Sequence, residues 1–333
     1  MNYKVTIVIP CYNEEMYILD CISSLLSSDY KNIEILVVDG DSSDKTQEIV
    51  ADIQKGNPNV KLLHNKKRIT PVSLNIGVTS ASGEFIMIAG AHSHFPSNYI
   101  STLMPYFDDQ SIWLVGGSLK TEVINHNSKS LSIKSVLSNR FGVGNSYFRT
   151  GVTEPKFVDA VPFGIYRTTV FNEIGLYNEK LIRNHDIELH KRIVNEGGKI
   201  YLIPYVKCTY YARETFKGLA KNNFGNGMWN ILTAFYTKKL NSLSLRHFIP
   251  LVYFLSLIFP LLLSCFVYEF IYLTILSFFI HFCLICFTAI KINNVQTSFL
   301  NLIKSFYVLH FSYGLGSFVG ILKIIKIKLF ESA

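Results

Sequence analysis

Charge is almost missing from one part of this chain: between Phe248 and Ile290 the only acidic or basic residue is Glu269. A water-facing surface needs charge, so the last quarter of the 333 residues is not an ordinary soluble fold. Paired cysteines are missing too. Cys11, Cys21, Cys208, Cys265, Cys283 and Cys286 form no spaced framework, which excludes a disulfide scaffold and fits a reducing cytosolic face. The "CLIC" at 283–286 sits in an apolar run with no second pair, so it reads as filler and not as a zinc site. No glycine-rich basic loop follows the first apolar run, which argues against a nucleotidyltransferase, and there is no internal repeat. The opening "MNYKVTIVIP" is too short and too strand-like for a signal peptide.

What is present divides the chain in two. The formal net charge of +8 is partly concentrated in "NKKR" at 65–68, "TKK" at 237–239 and "KIIKIK" at 323–328. Two of these runs flank apolar segments, which favours an anionic membrane surface over nucleic acid as partner. Segment 248–268 is uncharged and about as long as a bilayer is thick, and 270–290 is similar with one histidine. Glu269 leaves little room for a turn between them, so the turn must borrow from both runs. A third apolar segment, 299–322, carries Lys304 and His310. Lys238, Lys239 and Arg246 before the first span, Lys291 after the second, and the lysines after the third all prefer the cytoplasmic side. That pattern predicts two spans and a third segment that is re-entrant or interfacial. The expected domains are therefore 1–236, catalytic, and 237–333, a helical membrane module.

The first part alternates strand and helix. "KVTIVIP" (4–10), "IEILVVDG" (33–40), "VKLLHN" (60–65) and "GEFIMIAG" (83–90) read as strands, and helical spacing in Ile18, Ile22, Leu25 and Leu26 follows the first of them. "SSDKTQEIVADIQ" offers Ser or Asp ahead of a second helix, and "PVSLNIGVTSAS" a third with Pro71 near its start. Near-continuous apolar strands separated by helices predict an α/β fold with a doubly wound, mainly parallel sheet. Ligands of such sheets bind at the carboxyl ends of the strands. "PCYNEE", "DGDSSD" and "GAHSHFP" occupy three of those ends and should share one crevice. Acidic residues at a strand end beside helix amides suit a nucleotide, and "NKKRITPVSLN" adds cations for a diphosphate. Further on, "RNHDIELHKRIVNEGG" reads as a short helix ended by Gly197 and Gly198, with Asp186 near its start. His185 and His190 are five apart and fall on different faces, which argues against a zinc pair.

The ordered set "VIPCYNEE", "VVDGDSSDKT", "RITPVSLNIG" and "HDIELHKR" resembles the family 2 inverting glycosyltransferases with a GT-A fold. "FGVGNSYFR", "DAVPFGIYR", "AHSHFP", "LAKNNFGNGMW", "SLRHFIP" and "LHFSYGLGSFVG" are similar to the subgroup that includes succinoglycan-type exopolysaccharide transferases. The resemblance implies that Pro10, Tyr12 and Glu14 line the nucleoside pocket, and that Asp39 accepts from the base ring with Asp41 close by. It puts Arg68 near the uridine or diphosphate and makes Asp186 the general base that activates the acceptor hydroxyl. Two positions depart from the family pattern. His185 stands where an acidic residue usually precedes the base, and Gly90-Ala91-His92 stands where the subgroup has Asp-Ala-His. A divalent metal resting on His92 leans towards Mn²⁺ over Mg²⁺, and His94, two residues on, is a candidate second ligand. Restoring the acid by Gly90→Asp is expected to alter metal preference more than folding.

The region "NNFGNGMW" lacks the QxxRW of polymer-making relatives, so a single addition is expected, with His185 and Trp229 on the acceptor side. The expected function is a membrane-bound, multi-pass inverting transferase. It would move one sugar from a nucleotide sugar, UDP-linked, to a lipid-linked saccharide at the cytoplasmic face in surface or exopolysaccharide biosynthesis. Other polysaccharide assembly proteins are candidate partners. The alternative is a nucleotide-sugar-binding scaffold subunit impaired by the loss of its metal carboxylate at Gly90.

Overall fold

The computed structural model describes residues 3–238 and 245–330, so Lys239 lies outside the described residues. Two compact units emerge: Met1–Thr121 with Ser146–Tyr211, and Glu122–Asn145 with Ala212–Ala333. The sequence boundary at 236 differs from this grouping, because segment 122–145 and the helix Phe216–Thr237, which runs through residue 236, group with the apolar helices.

In the first unit the expected alternation appears. It runs β1 (Val5–Cys11), α1 (Ile18–Leu26), β2 (Ile33–Asp39), α2 (Thr46–Gly56), β3 (Val60–His64), α3 (Thr70–Ser80) and β4 (Phe85–Ile88). β1 pairs in parallel with β2 and β4, and β2 with β3. Because side chains alternate across a strand, Ile7, Ile9, Ile35 and Val37 pack with Ile18 and Ile22 of α1 on one face. Val8, Val38 and Ile86 pack with Leu74 and Val78 of α3 on the other. Covering both faces is what demands the continuous apolar runs. α3 sits so close to β1 that a Cβ on Gly77 would run into the Val8 side chain.

Beyond β4 the sheet turns antiparallel. The added elements are β5 (Ser93–His94), α4 (Tyr99–Leu103), β6 (Ile112–Glu122), β7 (Lys156–Phe157), β8 (Ile165–Arg167) and β9 (Lys199–Tyr211). The strand order is β3-β2-β1-β4-β8-β6-β9-β5, with β7 on β9. β8 runs antiparallel to β4 and β6, and β9 antiparallel to β5 and β7. Helices α5 (Ser128–Leu137), α6 (Arg140–Val143), α7 (Tyr147–Thr150), α8 (Thr169–Ile174) and α9 (His185–Asn195) fall between these strands along the chain. α9 stops where Gly197 takes a φ of +85°, a left-handed turn that a glycine adopts without strain.

The second unit holds α10 (Phe216–Thr237), α11 (Ile249–Leu263), α12 (Phe270–Ile292) and α13 (Phe299–Phe330) along with α5 and α6. Three helices, Arg246–Leu263, Phe270–Ile292 and Phe299–Leu329, are long and apolar enough to cross a membrane. The turn before Glu269 is taken from the first apolar run, since α11 ends at Leu263. α13 is one unbroken helix of 32 residues, so the third segment is not a re-entrant hairpin. α10 and α13 meet backbone to backbone: a Cβ on Gly227 would strike the Tyr313 carbonyl, and one on Gly316 the Phe224 carbonyl. Ser317 Oγ donates to the Gly227 carbonyl at 3.1 Å across the same seam. The glycines of "NNFGNGMW" and "FSYGLGSF" are therefore a helix-packing device of the kind membrane helices use.

Candidate active site

The parallel register sets Cys11 opposite Asp39, so the loops after β1 and β2 leave the sheet side by side. They are then cross-linked through hydrogen bonds. The Asn13 backbone N–H donates to Ser42 Oγ at 2.9 Å, and the Ser43 N–H returns to Asn13 Oδ1 at 2.9 Å. The Glu14 N–H donates to Thr46 Oγ1 at 2.8 Å, and the Lys45 N–H to Glu15 Oε2 at 3.0 Å. Asn13 and Asp41 both hold a left-handed backbone, at φ 54° and 62°, so the loops are kept in conformations that cost energy outside a folded context.

Asp39 is fully buried beneath these loops. Its Oδ1 accepts from the Ser42 N–H at 2.9 Å and Gln47 Nε2 at 2.7 Å, and its Oδ2 from Ser42 Oγ at 2.5 Å. The Cys11 thiol lies 3.6 Å from the same Oδ2, and burial, with that carboxylate beside it, pushes the thiol pKa up. These contacts tie Asp39 to the loop after β2. A base edge reaching it would share the carboxylate with the Ser42 and Gln47 donors.

Above Asp39 lies a crevice of about 270 Å³, lined by Pro10, Tyr12, Glu14, Arg68, Gly90 and His92 among others. Five of the sequence-expected residues therefore converge: Pro10 from the end of β1, Tyr12 and Glu14 from the loop after it, Arg68 from the loop between β3 and α3, and His92 from the loop after β4. Arg68, itself at φ 58°, holds Asp41 through its Nε at 3.1 Å and through its Nη2. The guanidinium keeps the Asp41 carboxyl below its usual pKa. Asp41 orients the crevice arginine from outside the lining.

His92 Nδ1 lies 3.3 Å from Glu14 Oε1, both half-buried on the crevice wall. His94 points elsewhere. β4 ends at Ile88 and the chain turns before β5, so His94 does not share His92's direction, and its Nδ1 sits 3.1 Å from the exposed Asp20. His92 and His94 are thus not brought together, and the side chain that faces His92 is Glu14. One carboxylate oxygen and one imidazole nitrogen are donors that would suit a borderline divalent ion. Among the described residues no group of three or more His, Cys, Asp or Glu side chains gathers that could hold a metal alone. The missing carboxylate also has a physical reason. A Cβ on Gly90 would lie 2.7 Å from Phe163 Cε1 and 3.1 Å from Ser93 Oγ, so the Phe163 ring occupies the place of an acidic side chain. Gly90→Asp therefore requires the Phe163 ring to move, so it is expected to strain local packing as well as to alter metal preference.

Asp186 is exposed on the first turn of α9 and is not part of the crevice lining. His185 beside it has an enclosed Nδ1 without a hydrogen-bond partner, and burial pushes its pKa down. His190, further along α9, faces Tyr166 Oη at 2.7 Å in the core and is no partner of His185. Trp229 belongs to the second unit, where its ring stacks on Tyr236 at 6.5 Å. Sequence reasoning missed Asn13, Ser42, Thr46 and Gln47, which fix the loops, and Phe163. The one signal for Phe163 was its place between Pro162 and Gly164, which is where a left-handed residue, here at φ 45°, becomes feasible.

A sequence model of glycosyl transferase family 2 matches residues 6–175, from β1 through α8. The chain belongs to that family. This glycosyltransferase is 30% identical over 237 residues to the dolichyl N-acetyl-alpha-D-glucosaminyl phosphate 3-beta-D-2,3-diacetamido-2,3-dideoxy-beta-D-glucuronosyltransferase of Methanococcus voltae, covering 68% of this chain and 72% of that one. It is 27% identical over 224 residues to the succinoglycan biosynthesis protein ExoA of Rhizobium meliloti, covering 66% and 67%. Its fold is similar to the mannosyltransferase PcManGT from Pyrobaculum calidifontis, solved with GDP-Man and Mn²⁺. The TM-score is 0.55 at 14% identity, over 99% of this chain and 88% of that one. The transferase has the GT-A fold followed by candidate membrane helices. Its matched segment stops before Asp186 and Trp229.

Proposed function

We propose that this transferase moves a single sugar from a nucleotide sugar, UDP-linked, to a lipid-linked saccharide at the cytoplasmic face of a membrane, with inversion at the anomeric carbon. The product serves surface or exopolysaccharide assembly. The observation that carries this reading is the convergence of Arg68, Glu14 and His92 on one crevice at the carboxyl ends of parallel strands. Three apolar helices, basic residues at 238, 246 and 291, and a relative named for a dolichyl-phosphate-linked acceptor support the lipid-linked substrate.

In this reading Pro10 and Tyr12 flank the nucleoside, and Arg68, oriented by Asp41, takes the diphosphate through planar N–H donors. Asp39 shapes the floor by ordering the 40–47 loop. Glu14 and His92 would hold a divalent cation, Mn²⁺ before Mg²⁺, which supplies positive charge against the departing diphosphate. Asp186, an exposed acid on a helix N-terminal turn, takes the acceptor hydroxyl proton as that oxygen attacks. The incoming oxygen forms its bond on the face opposite the nucleotide, so one displacement inverts the centre. His185 supports that turn from within.

The test is a donor screen, UDP- and GDP-sugars, read as nucleotide release with cell membranes as acceptor source, with Mn²⁺ or EDTA. Turnover with a UDP-sugar and a product of inverted anomeric configuration is expected. Asp186→Asn should lower transfer by ~10² to 10⁴ and leave UDP binding unchanged. Full activity in that variant would sink the base assignment. Tight UDP binding with no turnover on any donor would favour the scaffold reading.

A further inference from the structure

The motif "FGVGNSYFR" has no part in the crevice, yet it delivers a cation to the crevice's edge. The Arg149 guanidinium lies over the Tyr210 ring, 4.9 Å from its centroid, and has no carboxylate partner among the described residues. The antiparallel register Ser93↔Tyr210 brings that ring to the strand that follows His92, and the two rings stand 5.6 Å apart. On its other side His92 meets Tyr17 edge-on at 6.4 Å, and Tyr17 stacks on Tyr211 at 6.4 Å and 28°. A half-buried row of three tyrosines thus runs past His92 and carries an unpaired guanidinium at one end.

The row has the chemistry of a sugar-phosphate site. Tyrosine faces stack on the apolar faces of sugar rings, and a planar guanidinium held on an aromatic floor donates in pairs to phosphate oxygens. In the proposed donor site the diphosphate falls to Arg68, which lines the crevice from a different loop. Arg149 does not line that crevice. From this we infer that Arg149, Tyr210, Tyr17 and Tyr211 form the acceptor subsite, in which Arg149 binds the phosphate ester of the lipid-linked acceptor. The inference deepens the proposed function and rests on its lipid-linked acceptor. It also assigns the specificity for an anionic linker to a residue outside the donor pocket.

The experiment uses the full chain purified into nanodiscs and titrated calorimetrically with farnesyl phosphate, farnesol and UDP. Wild type should bind farnesyl phosphate and UDP and not farnesol. Loss of one charge-assisted contact predicts that Arg149→Gln weakens farnesyl phosphate about 10- to 100-fold while UDP stays within about twofold, which also shows the variant folded. Arg149→Lys should recover part of the loss, because it restores charge without the planar fork. Arg68→Gln should weaken UDP and spare farnesyl phosphate. Equal weakening of UDP and farnesyl phosphate by Arg149→Gln would give the arginine to the donor diphosphate and overturn the inference. Unchanged farnesyl phosphate binding would overturn it as well. Wild-type binding of UDP without farnesyl phosphate removes the acceptor subsite and leaves the transferase reading standing, whereas binding of neither removes both.

Discussion

Placing any side chain at residue 90 tests how this site does without the family's carboxylate. A Cβ there would sit 2.7 and 2.9 Å from the end of the Phe163 ring and 3.1 Å from Ser93 Oγ. Carbon pairs prefer ~3.5–4.0 Å, so the ring must retreat by about 1 Å. Its root is constrained, because Phe163 holds a φ of 45° and its carbonyl accepts from Tyr99 Oη at 3.1 Å. Overpacking of this kind costs ~1–3 kcal/mol, towards the lower end for Gly90→Ala, where only the ring tip clashes, and the upper end for Gly90→Asp. At ~2–4 °C per kcal/mol for a unit of this size, thermal unfolding of the full chain in detergent should fall by several degrees. Phe163→Ala opens the space, so Gly90→Ala should cost almost nothing in that background, a coupling of about 1 kcal/mol or more. In the Phe163→Ala background Gly90→Asp should also tighten Mn²⁺ dependence, since the carboxylate then has room beside His92. If Gly90→Ala lowers the midpoint equally with and without the ring, Phe163 is not what excludes a side chain, and the account of the missing acid fails.

Three further outcomes follow from the same structure. Glu14→Gln and His92→Ala should each raise the Mn²⁺ concentration for half-maximal transfer by ~10-fold or more, with UDP binding in EDTA unchanged; a variant with wild-type metal dependence removes that residue from the metal reading. Buried Glu34 loses stability to desolvation, but hydrogen bonds from Ser82 and Thr6 and the Lys4 charge outweigh this and hold its pKa at about 2 instead of 4.5. Its folded pKa is depressed, so its contribution, on the order of 3 kcal/mol, is present above pH 4.5 and lost as pH falls towards 2. Glu34→Gln should flatten that part of the unfolding-versus-pH curve, and an unaltered curve would contradict it. Gly316→Leu should lower the thermal midpoint of the detergent-solubilised chain by overpacking the α10–α13 seam, ~1–3 kcal/mol or more. Gly56→Ala, with nothing within 4 Å, should be neutral or stabilising by ~0.4–1 kcal/mol. Equal effects of the two would show that the seam is not tight.

Periodicity in the sequence was enough for β1 to β4 with α1 to α3, because strands buried on both faces must be apolar throughout and helices must repeat every three to four residues. It also located the charge-free segments, since a bilayer-spanning helix announces itself by composition and length. Motif order placed Pro10, Tyr12, Glu14, Arg68 and His92 on strand ends, and those five do share a crevice. Register and contacts across the sheet carry no such local signature. That β9 returns antiparallel to β5, setting Tyr210 beside His92, depends on pairing residues more than a hundred positions apart. The Phe163 ring against Gly90 and the approach of His94 to Asp20 were likewise decided by distant contacts, whereas Asp39 is held locally, by Ser42 and Gln47 three and eight residues on, through hydrogen bonds that no hydropathy pattern announces. Local sequence determines which face of a strand or helix is apolar, and only the packed chain determines which polar group is already satisfied and which remains free to meet a substrate.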